Sequence, residues 1–195
     1  MNQSRFQVHL ELAHRYWEQH LQVGDTAIDA TCGNGHDTLK LCQLTLSNTE
    51  GHVFGFDVQE KAIEMTKQRL QSALTPGQFS RVTLIQGCHS DFSQIHLPSF
   101  PRLIVYNLGY LPGADKTQTT HTSSTIQSVQ TACQIIAHGG LIVITCYPGH
   151  EEGAKEEEAL FTFAAQLPRD KWNCCHHRWI NRERAPSLLV LQKQA

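Results

Sequence analysis

Apolar and polar positions along this chain follow two periods that take turns. From Phe6 to Leu21 the apolar residues Phe6, Leu10, Ala13, Trp17 and Leu21 fall near the spacing of one helical face. Val23-Gly24-Asp25 turns the chain into a short run, Thr26-Ala27-Ile28, which ends at Asp29. A glycine-bearing loop, Ala30 to Gly35, leads into a predicted helix from His36 to Leu46. His52 to Phe56 reads as a strand ending at Asp57, and Gln59 to Ala73 as a helix with Ala62, Ile63, Met65 and Leu70 towards the core. Val82 to Gln86 and Leu103 to Tyr106 are further strands, the second ending at Asn107. Thr125 to Ala137 reads as helix, His138-Gly139-Gly140 as a sharp turn, Leu141 to Cys146 as strand and Glu151 to Gln166 as helix. Two late strands are expected near Trp172 to Ile180 and Leu188 to Gln192.

Strands alternating with helices imply a parallel sheet covered by helices on both faces. The wholly apolar runs Leu103 to Val105 and Leu141 to Ile144 suit strands buried on both sides. The last two strands are joined by Asn181 to Ser187, too short for a crossover helix, so they predict an antiparallel hairpin. The outline is α/β: a Rossmann-like, mostly parallel seven-stranded sheet ending in that hairpin. With 195 residues and neither a repeat nor a composition break, one domain over 1–195 is expected.

Composition narrows the setting. Hydrophobic residues make up 40% and charged residues 17%, which argues against disorder. No apolar run approaches the ~20 residues needed to span a bilayer. Met1 to Gln22 lacks the unbroken apolar stretch of a secretory signal, so a cytoplasmic protein without a membrane partner is expected. The seven cysteines form no C-x-x-C pair and read as free thiols. In Cys174-Cys175-His176-His177 neighbouring side chains on a strand point to opposite faces, so an edge strand is favoured and no metal is expected. A formal charge of −2 gives no global attraction to nucleic acid. Arg169 to Ala195, however, holds six Lys/Arg against two acids, with His176 and His177. Such a face can hold phosphates, and it equally fits a solvated surface.

Polar residues gather at the C-terminal ends of the predicted strands: Asp29, Asp57, His89, Asn107 and His150. That edge of an open parallel sheet is where ligands bind. In Asp29-Ala30-Thr31-Cys32-Gly33-Asn34-Gly35-His36-Asp37-Thr38 the two glycines permit unusual backbone angles and close approach of a ligand. Thr38 stands where a dinucleotide fingerprint has its third glycine, so the loop fits a nucleoside without a pyrophosphate. Asp57, 22 residues beyond Gly35, can accept both hydroxyls of a ribose. It can also cap the helix that starts near Gln59.

Asn107-Leu108-Gly109-Tyr110-Leu111-Pro112-Gly113 resembles the N-P-P-Y loop of amino-group methyltransferases, with Asn107 and Tyr110 at matching spacing. Asn107 can accept an amine N–H and orient the nitrogen, and Tyr110 can stack on a base; the segment also reads as a rigid turn. In Tyr147-Pro148-Gly149-His150-Glu151-Glu152-Gly153 the two glutamates suit the positive end of a helix. His150 can accept a proton near neutral pH, although a lone histidine is more often structural.

These strings, together with Phe56-Asp57 and Asp115-Lys116, resemble a bacterial family labelled ribosomal RNA methylases. Its members are associated with methylating the aminomethyl group of 5-aminomethyl-2-thiouridine at the tRNA wobble position. The likeness runs from about residue 24 to the C-terminus. It implies a class I methyltransferase fold and S-adenosyl-L-methionine as cofactor. The implied cofactor set is Asp29, Thr31, Gly33, Asn34, Gly35, His36, Asp37, Thr38, Asp57, Gln59, His89, Asn107 and Gly109, with the N-terminal helix (1–22) packed nearby. Asn107, Tyr110 and His150 are the implied catalytic residues, and Tyr110 to Lys116 and Thr119 to Thr125 the substrate side. The implied partner is the anticodon arm of tRNA, and the chain is expected to be a monomer or homodimer. The sequence departs from the family at Ala185-Pro186, where paired prolines are usual, and at Cys88-His89, which replaces a more polar pair. The remaining alternatives are a methyltransferase acting on rRNA or on a small-molecule amine.

Overall fold

The computed structural model describes residues 8–92, 95–109 and 121–195. Its elements, in chain order, are α1 (Val8–His20), β1 (Thr26–Asp29), α2 (His36–Thr45), β2 (His52–Asp57), α3 (Glu60–Ala73), α4 (Pro76–Phe79) and β3 (Val82–Gln86). They continue with β4 (Leu103–Asn107), α5 (Thr122–Ile135), β5 (Leu141–Cys146), α6 (Glu151–Ala165), β6 (Trp172–His177) and β7 (Ser187–Lys193).

The strands form one seven-stranded sheet in the order β3-β2-β1-β4-β5-β7-β6. The first five strands run parallel, and β7 lies antiparallel between β5 and β6. Strand side chains alternate between the two faces, and each face receives its own helices. Ile28, Phe54, Ile104, Ile142 and Ile144 pack with Val129 and Ala132 of α5 and Leu160 of α6. Ala27, Val53, Leu103, Val105 and Val143 pack with Ala13 and Trp17 of α1, Leu41 of α2 and Leu70 of α3. Strand order reverses between β1 and β4, and that reversal opens a crevice at their carboxyl ends. The site is built there.

The parallel sheet and terminal hairpin match the expectation, with local differences. Met65 is 36% exposed, and Thr66 faces inward instead. Ala62, Thr66 and Leu70 keep a strict i, i+4, i+8 line, from which Met65 is one position off. α5 starts three residues before Thr125, and β6 stops at His177 instead of Ile180. α4 was not foreseen, although Thr75-Pro76-Gly77-Gln78 carries its signature: Thr75 and Gln78 form a capping box with proline in the first turn. All seven cysteines are free. Among the described residues no helix is long and apolar enough to cross a membrane.

Candidate active site

The β1–α2 loop is held from both sides. Asp29, at the end of β1, is 1% exposed. Its carboxylate accepts the Thr31 N–H at 3.1 Å and the Thr38 hydroxyl at 2.6 Å, clamping the two ends of the loop together. The Cys32 N–H donates to the Phe56 carbonyl at 2.8 Å, and the Gly33 N–H to Asp57 at 2.9 Å, so the crest is fastened to β2. From α3, Arg69 Nε donates to the Asn34 carbonyl at 2.7 Å and Thr66 to that of Gly33 at 3.2 Å. Gly33 (φ 52°) and Gly35 (φ 75°) are left-handed. At Gly35 a Cβ would lie 2.8 Å from Thr66 Cα, so only glycine allows α2 to start against α3.

Asp57 uses its second oxygen on the Gln59 N–H at 2.9 Å. It thus shapes the turn into α3, whose N-cap is Gln59 and not Asp57, and sits half-buried at the β2 edge beside the loop. Each carboxylate oxygen retains a second lone pair, enough to receive ribose hydroxyls.

Asn107 closes the crevice from β4. Its N–H donates to Thr31 Oγ1 at 2.7 Å and its side-chain Nδ2 to Asp37 Oδ2 at 3.0 Å. The amide donor is thus committed to a carboxylate, which leaves Oδ1 as the acceptor of that side chain. Asp37 in turn bonds His14 Nε2 of α1 at 3.1 Å. His14 and Arg69 were not singled out in the sequence; each lies far along the chain from the loop it supports, and only the fold brings them close.

Three carboxylates, Asp29, Asp37 and Asp57, therefore share one edge. Burial, and next the Asp37 charge, push the Asp29 carboxyl up to about 7. The folded state then holds a proton that the unfolded chain, with an ordinary aspartate, releases near pH 4. This contribution to stability is complete below the unfolded value and fades as pH rises towards 7. Asp29→Asn, whose amide can donate to Thr38 while its oxygen accepts from Thr31, should flatten that part of the curve. Urea unfolding of both proteins at pH 5 and pH 7.5 reads the difference, and parallel pH slopes would refute it.

Other expected residues fall around this core. Thr38 is buried beneath the loop, and His36 is exposed in the first turn of α2. His89 is buried, its ring edge-on to Tyr106 with centroids 5.8 Å apart. Burial holds it down at about 4, hence neutral, and its Nδ1 has no hydrogen-bond partner. A chain from Tyr106 through Ser128 to the His89 carbonyl fixes this segment, at 2.8 and 2.7 Å. Gly109 has φ 145°, and a Cβ there would touch the Tyr147 ring at 3.5 Å.

His150 is the N-cap of α6, and its Nδ1 accepts the Gly153 N–H at 3.0 Å. While that bond holds, a neutral ring carries its proton on Nε2, so Nδ1 cannot take another. The role visible for His150 is capping, the structural alternative that the sequence offers beside proton acceptance. Tyr110, Tyr110 to Lys116 and Thr119 to Thr120 lie outside the described residues. Among the described residues no group of three or more His, Cys, Asp or Glu is placed to hold a metal ion.

The family described as "Putative rRNA methylase" matches residues 53–193. A tRNA (mnm5s2U34)-methyltransferase from the chloroplast of Arabidopsis thaliana is 39% identical over 189 residues, covering 94% of this chain and 69% of that protein. The crystal structure of a "putative rRNA-methylase" from Clostridium thermocellum superposes with a TM-score of 0.88 at 34% identity, covering 95% of this chain and 97% of that one. A "putative methyltransferase" from Streptococcus mutans, in complex with S-adenosylhomocysteine, gives 0.82 at 28% identity, covering 99% of both chains. The fold is that of class I S-adenosylmethionine-dependent methyltransferases. By sequence over most of its length and by the architecture of its sheet, the chain belongs to the "Putative rRNA methylase" family.

Proposed function

We propose that this protein transfers a methyl group from S-adenosylmethionine to the aminomethyl nitrogen of 5-aminomethyl-(2-thio)uridine at the tRNA wobble position. The observation that carries the reading is the bonded network at the sheet edge, in which Thr31, Asp37 and Asn107 are joined beside the glycine loop. The methyltransferase class rests on family membership and on the relative that holds S-adenosylhomocysteine. The choice of wobble uridine rests on the Arabidopsis relative's activity. The described residues work as one domain, with α1 joined to the cofactor edge through His14.

The residues suit the cofactor. The carboxylate-rich edge favours a cationic sulfonium, the left-handed glycines keep side chains off the loop crest, and Asp57 beside that crest can accept ribose hydroxyls. When bound, S-adenosylmethionine supplies the electrophilic methyl carbon. Asn107 Oδ1 accepts an N–H of the incoming amine and turns its lone pair towards that carbon, a contribution of alignment. Asp37 holds the Asn107 amide in the required flip, and His14 holds Asp37. An alkylamine is mostly protonated at neutral pH, so the site must also favour its neutral form. Desolvation of the amine on binding does so.

Two measurements test this reading. Cells lacking the gene should accumulate the unmethylated aminomethyl nucleoside in their tRNA, as read by nucleoside mass spectrometry; an unchanged profile removes the tRNA substrate. Calorimetry should show binding of S-adenosylmethionine and S-adenosylhomocysteine in preference to NAD, and an NAD preference removes the methyltransferase itself.

A further inference from the structure

The turn between β6 and β7 is not used by the chemistry above. The sheet register pairs Cys146 with Ser187 and His177 with Leu188, which puts residues 178–186 at the carboxyl edge, the edge that carries the active site. The base of the turn is fastened: His176 bonds Ser187 at 3.0 Å, and Ser187 donates to Glu157 of α6. Its tip is different in character. Arg178 to Arg184 holds three arginines against one glutamate, in a chain whose formal charge is −2. Ile180 is 97% exposed, and the Arg182 guanidinium lies 4.7 Å over the Trp179 ring. Arg184 is a non-glycine residue at φ 55°. Arg184 lines two cavities, one of about 360 Å³ that reaches Pro148 and one of about 780 Å³ that reaches His150. The tip therefore continues into the loop that follows β5.

We propose that this turn is a docking surface for the unpaired anticodon loop of the RNA substrate, with Arg182 and Arg184 on phosphates and Trp179 and Ile180 against bases. The inference rests on the tRNA reading above. Arginine pairs with phosphate through its planar fork, and aromatic or apolar side chains receive the faces of splayed bases. A paired RNA stem hides its bases in a deep, narrow groove, so a half-buried tryptophan and an exposed isoleucine between arginines fit a single-stranded loop better. RNA carries a phosphate on every nucleotide whereas a second copy of this chain carries a net −2 over 195 residues, so RNA is the denser complement to three arginines.

The test uses the full chain and a synthetic anticodon stem–loop carrying 5-aminomethyl-2-thiouridine, with affinity measured by fluorescence anisotropy over a salt series. Arg182→Ala combined with Arg184→Ala should weaken binding about tenfold and lower the slope of log affinity against log salt by roughly 1.4, the value for two phosphate contacts on a single strand. Arg182→Lys with Arg184→Lys should restore the slope. Trp179→Ala should weaken binding about tenfold through lost stacking with little change in slope. In each variant the activity loss should fall on KM for RNA, with the melting temperature and S-adenosylhomocysteine affinity kept. Wild-type affinity and slope in the alanine variants, with wild-type protein still methylating the RNA, would overturn the docking surface and leave the function standing. Failure of the wild-type protein to bind or methylate the stem–loop would overturn both. A change of sedimentation state without a change in RNA affinity would reassign the turn as a contact between copies and overturn the inference.

Discussion

Asn107→Ala should lower turnover about a hundredfold while leaving S-adenosylhomocysteine affinity within a few-fold of wild type, because the residue aligns the amine and adds little to cofactor binding. The geometry explains this separation. Asn107 is anchored through its backbone N–H to Thr31, a bond that alanine keeps. What disappears is the carboxamide, whose Nδ2 is committed to Asp37 and whose Oδ1 is the acceptor on the substrate side. Asp37→Asn supplies the companion result. It no longer fixes the flip, since an amide can present either its oxygen or its nitrogen to Asn107. Its turnover should fall in the same direction but less far. Single-turnover methyl transfer and calorimetry, on the same protein preparations, separate the two quantities. Equal losses in both, or a loss in neither, would end the orienting role for Asn107.

Gly35→Ala should produce the largest structural effect, destabilising the protein by about 2–3 kcal/mol and lowering cofactor affinity at least tenfold. Two independent costs meet at this position. The backbone at φ 75° is strained for any residue with a Cβ. The added carbon would also stand 2.8 Å from Thr66 Cα, an α3 backbone atom that cannot swing aside as a side chain end would. Relief requires α2 to move away from α3, which loosens the grip of Thr66 on the Gly33 carbonyl and with it the loop crest. For a domain of this size the cost corresponds to a fall in melting temperature of roughly 5–10 °C. Gly24→Ala is a useful contrast: the φ of 100° carries backbone strain, but nothing lies within 4 Å of the new carbon. It should cost less and spare the cofactor. A Gly35→Ala protein that melts and binds like wild type would show that the close approach to α3 is not needed.

The alternation of elements was legible because the central strands are buried on both faces and so consist almost wholly of apolar residues. Leu103 to Val105 and Leu141 to Ile144 could hardly be anything else. The same logic extends to the last two strands, where an edge strand is expected at Cys174 to His177. Leu188 to Leu191 is continuously apolar, while Asn173 to His177 is polar, and this contrast places β7 inside the sheet and β6 at its edge. The start of α5 was hidden because Thr122-Ser123-Ser124 has no apolar position to set a period. At the site, the loop from Asp29 to Thr38 and its partners Asp57 and Asn107 stood out as polar residues ending apolar strands. His14 did not, because it acts across 23 residues through one tertiary bond to Asp37. The likeness implies Asp29 as a cofactor contact, and in the structure its two oxygens accept from Thr31 and Thr38 of the loop itself. His150 shows the limit of local reading. A histidine three residues before a glycine N–H can cap a helix or serve as a base, and the capping is visible only through the bond to Gly153.

The most direct test of the central claim is a crystal structure of this protein with S-adenosylhomocysteine. The predicted complex has the ribose hydroxyls on Asp57, the amino-acid arm along the Gly33–Gly35 crest and the sulfur turned towards Asn107. A ligand bound elsewhere, with that crevice closed by packed side chains, would contradict the account.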